Sequence, residues 1–225
     1  MTTFTKISTL LIIGVCSMLA IMASTPVRAD SPARPANLAT NGGFENWATP
    51  STVSAPWPKL GSEGAPVDWT PEMETPLAKE DYGKITAGLY KDTAIKHTGD
   101  ASVRLEGTNP AESVNAVRFV PVEPNTRYRV KLWVKGDSIE GTGIMVWAVF
   151  GPAGGDFWAH QDFHPKAPDV HTGTFDWEPV EYTVETNATA GTIRLVCQLR
   201  LATGKAWFDD FEFTKLGPVT AVQNF

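Results

Sequence analysis

The sequence predicts an all-β domain, an antiparallel β-sandwich of the jelly-roll type. From residue 41 onward, short stretches alternate apolar and polar residues with period 2, separated by Gly, Pro, Asn and Asp. No stretch of this region carries a long 3.6-residue apolar stripe. The turn signals leave room for about eight or nine short strands, which is the texture of two packed antiparallel sheets.

The N-terminal residues are of another kind. Lys6 supplies a positive start, residues 10–23 form an apolar run, and Val27 and Ala29 place small residues at −3 and −1 of a cleavage site before Asp30. Residues 1–29 therefore read as an export signal, with an uncleaved anchor as the alternative; the apolar run is short for a bilayer. Residues 30–40 are rich in Pro and Ala and read as a flexible lead-in. The sandwich is expected over residues 41–216 and a tail over 217–225. Cleavage leaves about 196 residues, enough for one sizeable core.

With Lys6 and Arg28 removed, 17 basic residues face 25 acidic ones, a net of −8. That balance argues against nucleic acid, where affinity rests on neutralising phosphate, and against an anionic membrane surface. Cys197 is the one cysteine left after cleavage, so no intramolecular disulfide is possible in an oxidising compartment. All eight tryptophans lie beyond residue 30. Some must fill the core, and the remainder suit a binding surface.

In chain order, residues 48–95 are Pro- and Gly-rich and read as long loops, with one or two helical turns over 75–91. Strands are expected at 101–105, 116–120, 127–135, 143–150, 179–185, 192–201 and 206–213, with a further one at 157–163. In 127–135, Tyr128, Val130, Leu132 and Val134 share the apolar face, opposite Arg127, Arg129, Lys131, Trp133 and Lys135. In 192–201 the apolar face is Ile193, Leu195, Cys197, Leu199 and Leu201, opposite Arg194, Val196, Gln198 and Arg200. Pro124-Asn125 and Gly99-Asp100 are turn pairs. Trp177, after the Gly173-Thr174 loop, is expected to plug the core at a strand start.

Five segments fall in a recognisable order. They are Asn41-Gly42-Gly43-Phe44-Glu45 followed by Trp47, the His97-Thr98-Gly99-Asp100 turn leading into Leu105, and Pro124-Asn125-Thr126-Arg127-Tyr128. The last two are Gly173-Thr174-Phe175-Asp176-Trp177 and Ala206-Trp207-Phe208-Asp209-Asp210-Phe211. Together they resemble the secreted carbohydrate-binding modules of the group that includes families 4, 9, 16 and 22, over residues 41–215. The resemblance implies a galactose-binding-like jelly roll, secretion, and a polysaccharide or glycan as partner. The long segment 48–95 departs from compact members of the group. The resemblance also implies one structural Ca²⁺ where the first and last strands meet. Glu45 with Asp209 or Asp210 would supply charge there, and carbonyls near Gly43 and from His97 to Asp100 the remaining oxygens. The other reading of these carboxylates is solvated or capping. If Asp209 shares the inward face of Phe211 and Phe213, it is a buried carboxylate that wants a cation.

A sugar presents flat C–H faces and a rim of hydroxyls, so its binder needs exposed aromatics and polar partners. Arg129, Lys131 and Trp133 share one strand face and Arg194, Gln198 and Arg200 another. If the two strands lie in one sheet, these six residues make a platform. Trp147 is ambiguous, because both alternating sets of its strand are apolar. Trp57 and Trp69 stand in Pro-rich loops, where they either meet a ligand or close one end of the sandwich. On a strand, Trp158, His160, Asp162 and His164 would line one face, open to a sugar, to a transition metal or to solvent alone.

Motifs of catalysis are missing. There is no Gly-x-Ser-x-Gly elbow, HExxH or phosphate loop, and Cys197 reads as a core thiol. The expected function is monomeric, non-catalytic glycan binding. Its alternatives are a small glycoside hydrolase or lyase on the same sandwich, for which Glu72, Glu74, Glu80, Asp81 and Asp162 are available, and an envelope protein–protein module.

Overall fold

The computed structural model describes residues 35–49, 57–74, 79–152, 162–163 and 170–219. Its strands are β1 (Trp47–Ala48), β2 (Lys59–Leu60), β3 (Ala65–Pro66), β4 (Thr70–Glu74), β5 (Gly88–Asp92), β6 (Ser102–Gly107), β7 (Ser113–Pro121), β8 (Thr126–Pro152), β9 (Asp162–Phe163), β10 (His171–Glu185) and β11 (Ala190–Pro218). The expected helical turns correspond to a single 3₁₀ segment, Lys79–Lys84.

The expected strands at 127–135 and 143–150 are two halves of the 27-residue β8, and those at 192–201 and 206–213 are two halves of the 29-residue β11. The residues between the halves also pair: Ala202 opposes Gly141, Thr203 opposes Glu140 and Lys205 opposes Asp137. β8 and β11 thus form one long antiparallel ribbon. It turns from one layer of the sandwich to the other where positive φ angles cluster, at Ser138, Gly141, Gly143, Leu201 and Gly204. Gly141 and Gly204 are required at this bend. A Cβ on Gly141 would stand 2.3 Å from the Leu201 carbonyl oxygen, and one on Gly204 2.4 Å from that of Ser138. Leu201, with φ 39°, belongs to the bend and not to the apolar row assigned from alternation.

One layer runs β10, the first half of β8, the second half of β11, β6, β5 and β2. The other runs β9, the second half of β8, the first half of β11, β7 and β4. All these pairings are antiparallel except β2 with β5, which is parallel. β1 and β3 form a separate small pair. β4 and β5 lie inside the segment read as loops. Pro71 and Gly88 hid them, since both residues are poor strand formers, but β4 is an outer strand that tolerates a proline.

The core between the layers takes the alternation at its word. Tyr128, Val130, Leu132 and Val134 from β8 meet Ile193, Leu195, Cys197 and Leu199 from β11 in one cluster. Burial pushes the Cys197 thiol well above its ordinary pKa, so it is an unreactive core side chain. Trp69 is only 4% exposed and sits between Phe44 and Phe211, with ring centroids 5.0 and 5.1 Å away. It closes the end of the sandwich and is removed from the candidate ligand residues. Trp177 is half-buried outside the core, and Phe175 takes the position packed against it. The first described segment is stitched to the last strand: Leu38 N donates to Phe213 O at 2.8 Å, and Asn37 exchanges bonds with Phe211 O and Phe213 N, both at 2.8 Å.

Two buried polar groups make this packing testable. Tyr182 packs on the core with its hydroxyl covered and without a hydrogen-bond partner, and burial raises its pKa. Removing an unsatisfied buried hydroxyl relieves its desolvation, so Tyr182→Phe should raise unfolding free energy by about 1 kcal/mol, read as a higher urea midpoint at unchanged m-value. A loss of similar size would show that the hydroxyl is paired. Asp92 accepts from Trp207 Nε1 at 2.9 Å, Arg104 Nη1 at 3.0 Å and the amides of Ala94 and Ile95. Burial raises its pKa, but the Trp207 bond, the two amides and Arg104 together outweigh burial and hold the carboxyl below its usual range. This contribution is complete above the unfolded value, about pH 4, and is lost as pH falls through the lower folded value. Stability measured by urea melts from about pH 5 to 2 should therefore decline less in Asp92→Asn than in the parent.

Candidate functional site

The outward face of the second layer gathers the groups suited to a polar ligand. Strand pairing sets them in rows. Thr70, Val117, Val196 and Trp147 make one row, and Glu72, Asn115, Gln198 and Met145 make the next. Phe119, Arg194 and Val149 form a row to one side; Glu74, opposite Ser113, and Arg200, opposite Gly143, lie to the other. Trp147 points outward because Ile144, Val146, Ala148 and Phe150 take the inward positions of β8. This resolves the ambiguity that periodicity left.

Arg194 is the anchor of the face. It is 2% exposed, donates from Nη2 to Glu72 Oε2 at 2.6 Å, and approaches Glu74 Oε1 at 3.5 Å. Its guanidinium lies 5.0 Å from the Trp147 ring centroid, a cation–π contact. Gln198 is buried and accepts from Trp147 Nε1 at 3.0 Å. Asn115 is buried too; its Nδ2 donates to Glu74 Oε1 at 3.2 Å, while its Oδ1 has no partner. The water-facing layer is Glu72 at 27% and Glu74 at 39% exposure, with Arg200 at 42% and 3.8 Å from Glu74. Two carboxylates and two guanidiniums leave the face neutral. Sequence reasoning named Glu72 and Glu74 only as carboxylates available to a hydrolase, and it did not name Asn115. The Glu72/Glu74 alternation against Pro71 and Met73 was the available signal, obscured by the proline.

The six-residue platform expected from sequence is not one surface. Arg129, Lys131 and Trp133 belong to the layer containing β10, and Arg194, Gln198 and Arg200 to the layer containing β7. Since both strands turn their apolar sets into the same core, the two polar sets face opposite sides of the molecule. On the far side, Trp133 is stacked by His97 at 4.0 Å, with Trp177 edge-on to that imidazole at 5.7 Å, and Arg129 lies 3.7 Å from Glu212. Trp57 is half-buried at the start of β2, its covered Nε1 without a hydrogen-bond partner. Trp158 and His160 lie outside the described residues, as do the side chain of Asp162 and the whole of His164.

The residues named for a cation do converge. The Asp100 amide donates to both Glu45 oxygens at 3.0 Å. Asp209 Oδ2 accepts from the amides of His97 at 2.8 Å and Thr98 at 3.2 Å. Asp210 takes His97 Nδ1 and Thr98 Oγ1, both at 2.6 Å, and Gly43 lies within the turn that presents Glu45. Asp209 is fully buried, but it does not share the face of Phe211 and Phe213. A bulge between Asp209 and Glu212, with Asp210 at φ 50°, separates them. Burial pushes the Asp209 carboxyl up to about 6 against its three backbone donors, and the neighbouring Asp210 adds to the rise. Among the described residues, no group of three or more His, Cys, Asp and Glu side chains is spaced to hold a metal. Glu45 and Asp209 are oxygen donors of the kind a hard cation takes, and both are held in place by amides of the 97–100 turn.

No protein-family model matches this sequence, nor does any curated protein sequence. Solved structures do match. A CBM4 structure aligns with 79% of this chain and 99% of its own, at 14% identity and a TM-score of 0.50. The enzymatically active domain of bacteriophage CBA120 tailspike protein 4 aligns with 80% of this chain at 12% identity and a TM-score of 0.51. This chain spans 21% of that domain's length. The fold is the jelly roll of the carbohydrate-binding modules. A family 16 carbohydrate-binding module also aligns, with 79% of this chain and 99% of its own, at 17% identity and a TM-score of 0.49. At such identities the likeness is one of fold, and function has to be argued from the face itself.

Proposed function

We propose that this chain is an exported, non-catalytic carbohydrate-binding protein that holds a polysaccharide or cell-wall glycan against the face formed by β4, β7, β11 and β8. One observation carries the reading. A single sheet face joins an outward indole, Trp147, to a row of amide, carboxylate and guanidinium groups on strands held rigidly by the core. An indole meets the C–H face of a sugar ring, and the polar groups meet its hydroxyls. The unpartnered Oδ1 of Asn115 supports a functional role, because native structures rarely leave a buried acceptor unsatisfied without one.

The non-catalytic reading rests on the carboxylates. Glycoside hydrolysis needs two of them on either side of the scissile bond. Glu72 and Glu74 stand on the same face of one strand and converge on the same Arg194 nitrogen. They do not face each other across a cleft, and Glu72 suits hydroxyl recognition. Export is proposed from the composition of residues 1–29.

Affinity electrophoresis against soluble neutral and acidic glycans tests the reading. Wild-type protein should be retarded by at least one glycan. Trp147→Ala should weaken that binding about tenfold or more, as truncation of an aromatic anchor does, while Lys131→Ala on the opposite face leaves it unchanged. A wild-type chain that no glycan retards would overturn the proposal.

We also propose that Ca²⁺ occupies the junction of Glu45, Asp209 and the 97–100 turn. A cation there offsets a buried carboxylate that no cationic side chain among the described residues balances, and ties the opening turn to the last strand. At a hundredfold excess over Kd the metal adds about 2.7 kcal/mol, so chelator should lower Tm by ~5–10 °C. Asp209→Asn should abolish the chelator-sensitive part. A melt indifferent to chelator counts against the metal.

A further inference from the structure

The glycan face contains a hydrogen-bonded relay ending on its indole. Trp147 Nε1 donates to Gln198 Oε1 at 3.0 Å, and Gln198 Nε2 donates to Glu74 Oε2 at 3.0 Å. The other Glu74 oxygen accepts from Asn115 Nδ2 at 3.2 Å, with Arg194 Nη2 at 3.5 Å and Arg200 Nη1 at 3.8 Å beside the carboxylate. One carboxylate on β4 thereby collects donors from β7 and β11.

A carboxylate only accepts, so it dictates which end of each neighbouring amide faces it. Both amides must present their NH₂ groups to Glu74. Gln198 is then left with its carbonyl oxygen toward the indole N–H. Reversing Gln198 would set its oxygen against the carboxylate and its NH₂ against the indole N–H, replacing two hydrogen bonds with two repulsions. The chain of contacts therefore selects one amide orientation and, through it, one orientation of the indole. Gln198 is fully buried and cannot borrow water to escape the choice.

We infer that Glu74 is a positioning residue for glycan binding: through Gln198 it holds the plane of the Trp147 indole in the orientation on which the sugar stacks. This inference rests on the reading of the face as a glycan site. Glu74 acts here through another side chain, in contrast to Trp147, which touches the sugar. Holding the indole in place beforehand removes part of the ordering cost that each immobilised side chain adds on binding.

The test is a double-mutant cycle, with Trp147→Phe as the partner variant because it keeps a stacking ring and lacks the N–H. Using a glycan that retards wild type, Glu74→Ala should raise Kd about three- to tenfold. In the Trp147→Phe background, where the relay is already cut, it should raise Kd no further. Equal losses in both backgrounds would overturn the inference and make Glu74 a direct sugar contact. A second readout needs no glycan. The Trp147 indole N–H resonance, assigned by its loss in Trp147→Phe, should shift and exchange faster in Glu74→Ala. It should do the same in Glu74→Gln, which has one acceptor for two donors and changes the fold least. An unmoved resonance in both variants would overturn the inference. If wild type binds no glycan, the proposed function fails, and the resonance still decides whether the relay exists.

Discussion

The structure depends on the pairing of β8 with β11 along nearly their whole length. That ribbon is the centre of both layers: β10, β9, β6 and β7 pair with it directly, and β4, β5 and β2 extend the layers from there. Because it bends between the layers instead of ending, each strand contributes its apolar alternate residues to the core twice. Tyr128 to Val134 and Ile144 to Phe150 come from β8, and Ile193 to Leu199 and Phe208 to Phe213 from β11. The bend is possible because the backbone there adopts left-handed angles that glycine supplies without strain. In this core Cys197 serves as an apolar residue.

The ribbon also decides where chemistry can sit. With both inner faces consumed by the core, polar side chains of β8 and β11 are left on two outer surfaces that cannot cooperate. One surface pairs its charges locally: Arg127 with Glu185, Lys135 with Asp176, and Arg129 near Glu212. The other buries an arginine almost completely under two glutamates and an indole. A buried guanidinium is stable only when its hydrogen bonds and charge are met, so its surroundings are constrained in orientation as well as in composition. That constraint is what makes the second face a defined surface.

The strand pattern was legible where burial was one-sided. In 127–135 and 192–201 the hydrophobic alternation named the core residues correctly, up to Leu201, where the bend breaks the period. It was silent on Trp147, whose strand is apolar on both sides, and misleading for 48–95, where Pro71 and Gly88 masked β4 and β5. The tryptophans were the least legible residues. Trp69 took the second of its two expected roles and closes the sandwich, whereas Trp177, expected in the core, lies outside it, because an indole's fate depends on which neighbours arrive and not on its own flanks. Phe44 and Phe211 enclose the first, and His97 meets the second edge-on. The convergence of Glu45, the 97–100 turn and Asp209 was implied by the family resemblance, and the face taken by Asp209, left conditional by alternation, was decided by the bulge before Glu212.

By itself, the sequence determined the all-β class and the inward face of each well-alternating strand. These are local properties, set by side-chain period and turn chemistry. Only the tertiary structure decided which polar rows share a surface, which tryptophans remain outside the core, and that Glu74 lies beside Gln198 across 124 positions of chain. Such partnerships are set by which strands lie side by side, and alternation along one strand carries no information about the identity of its neighbour.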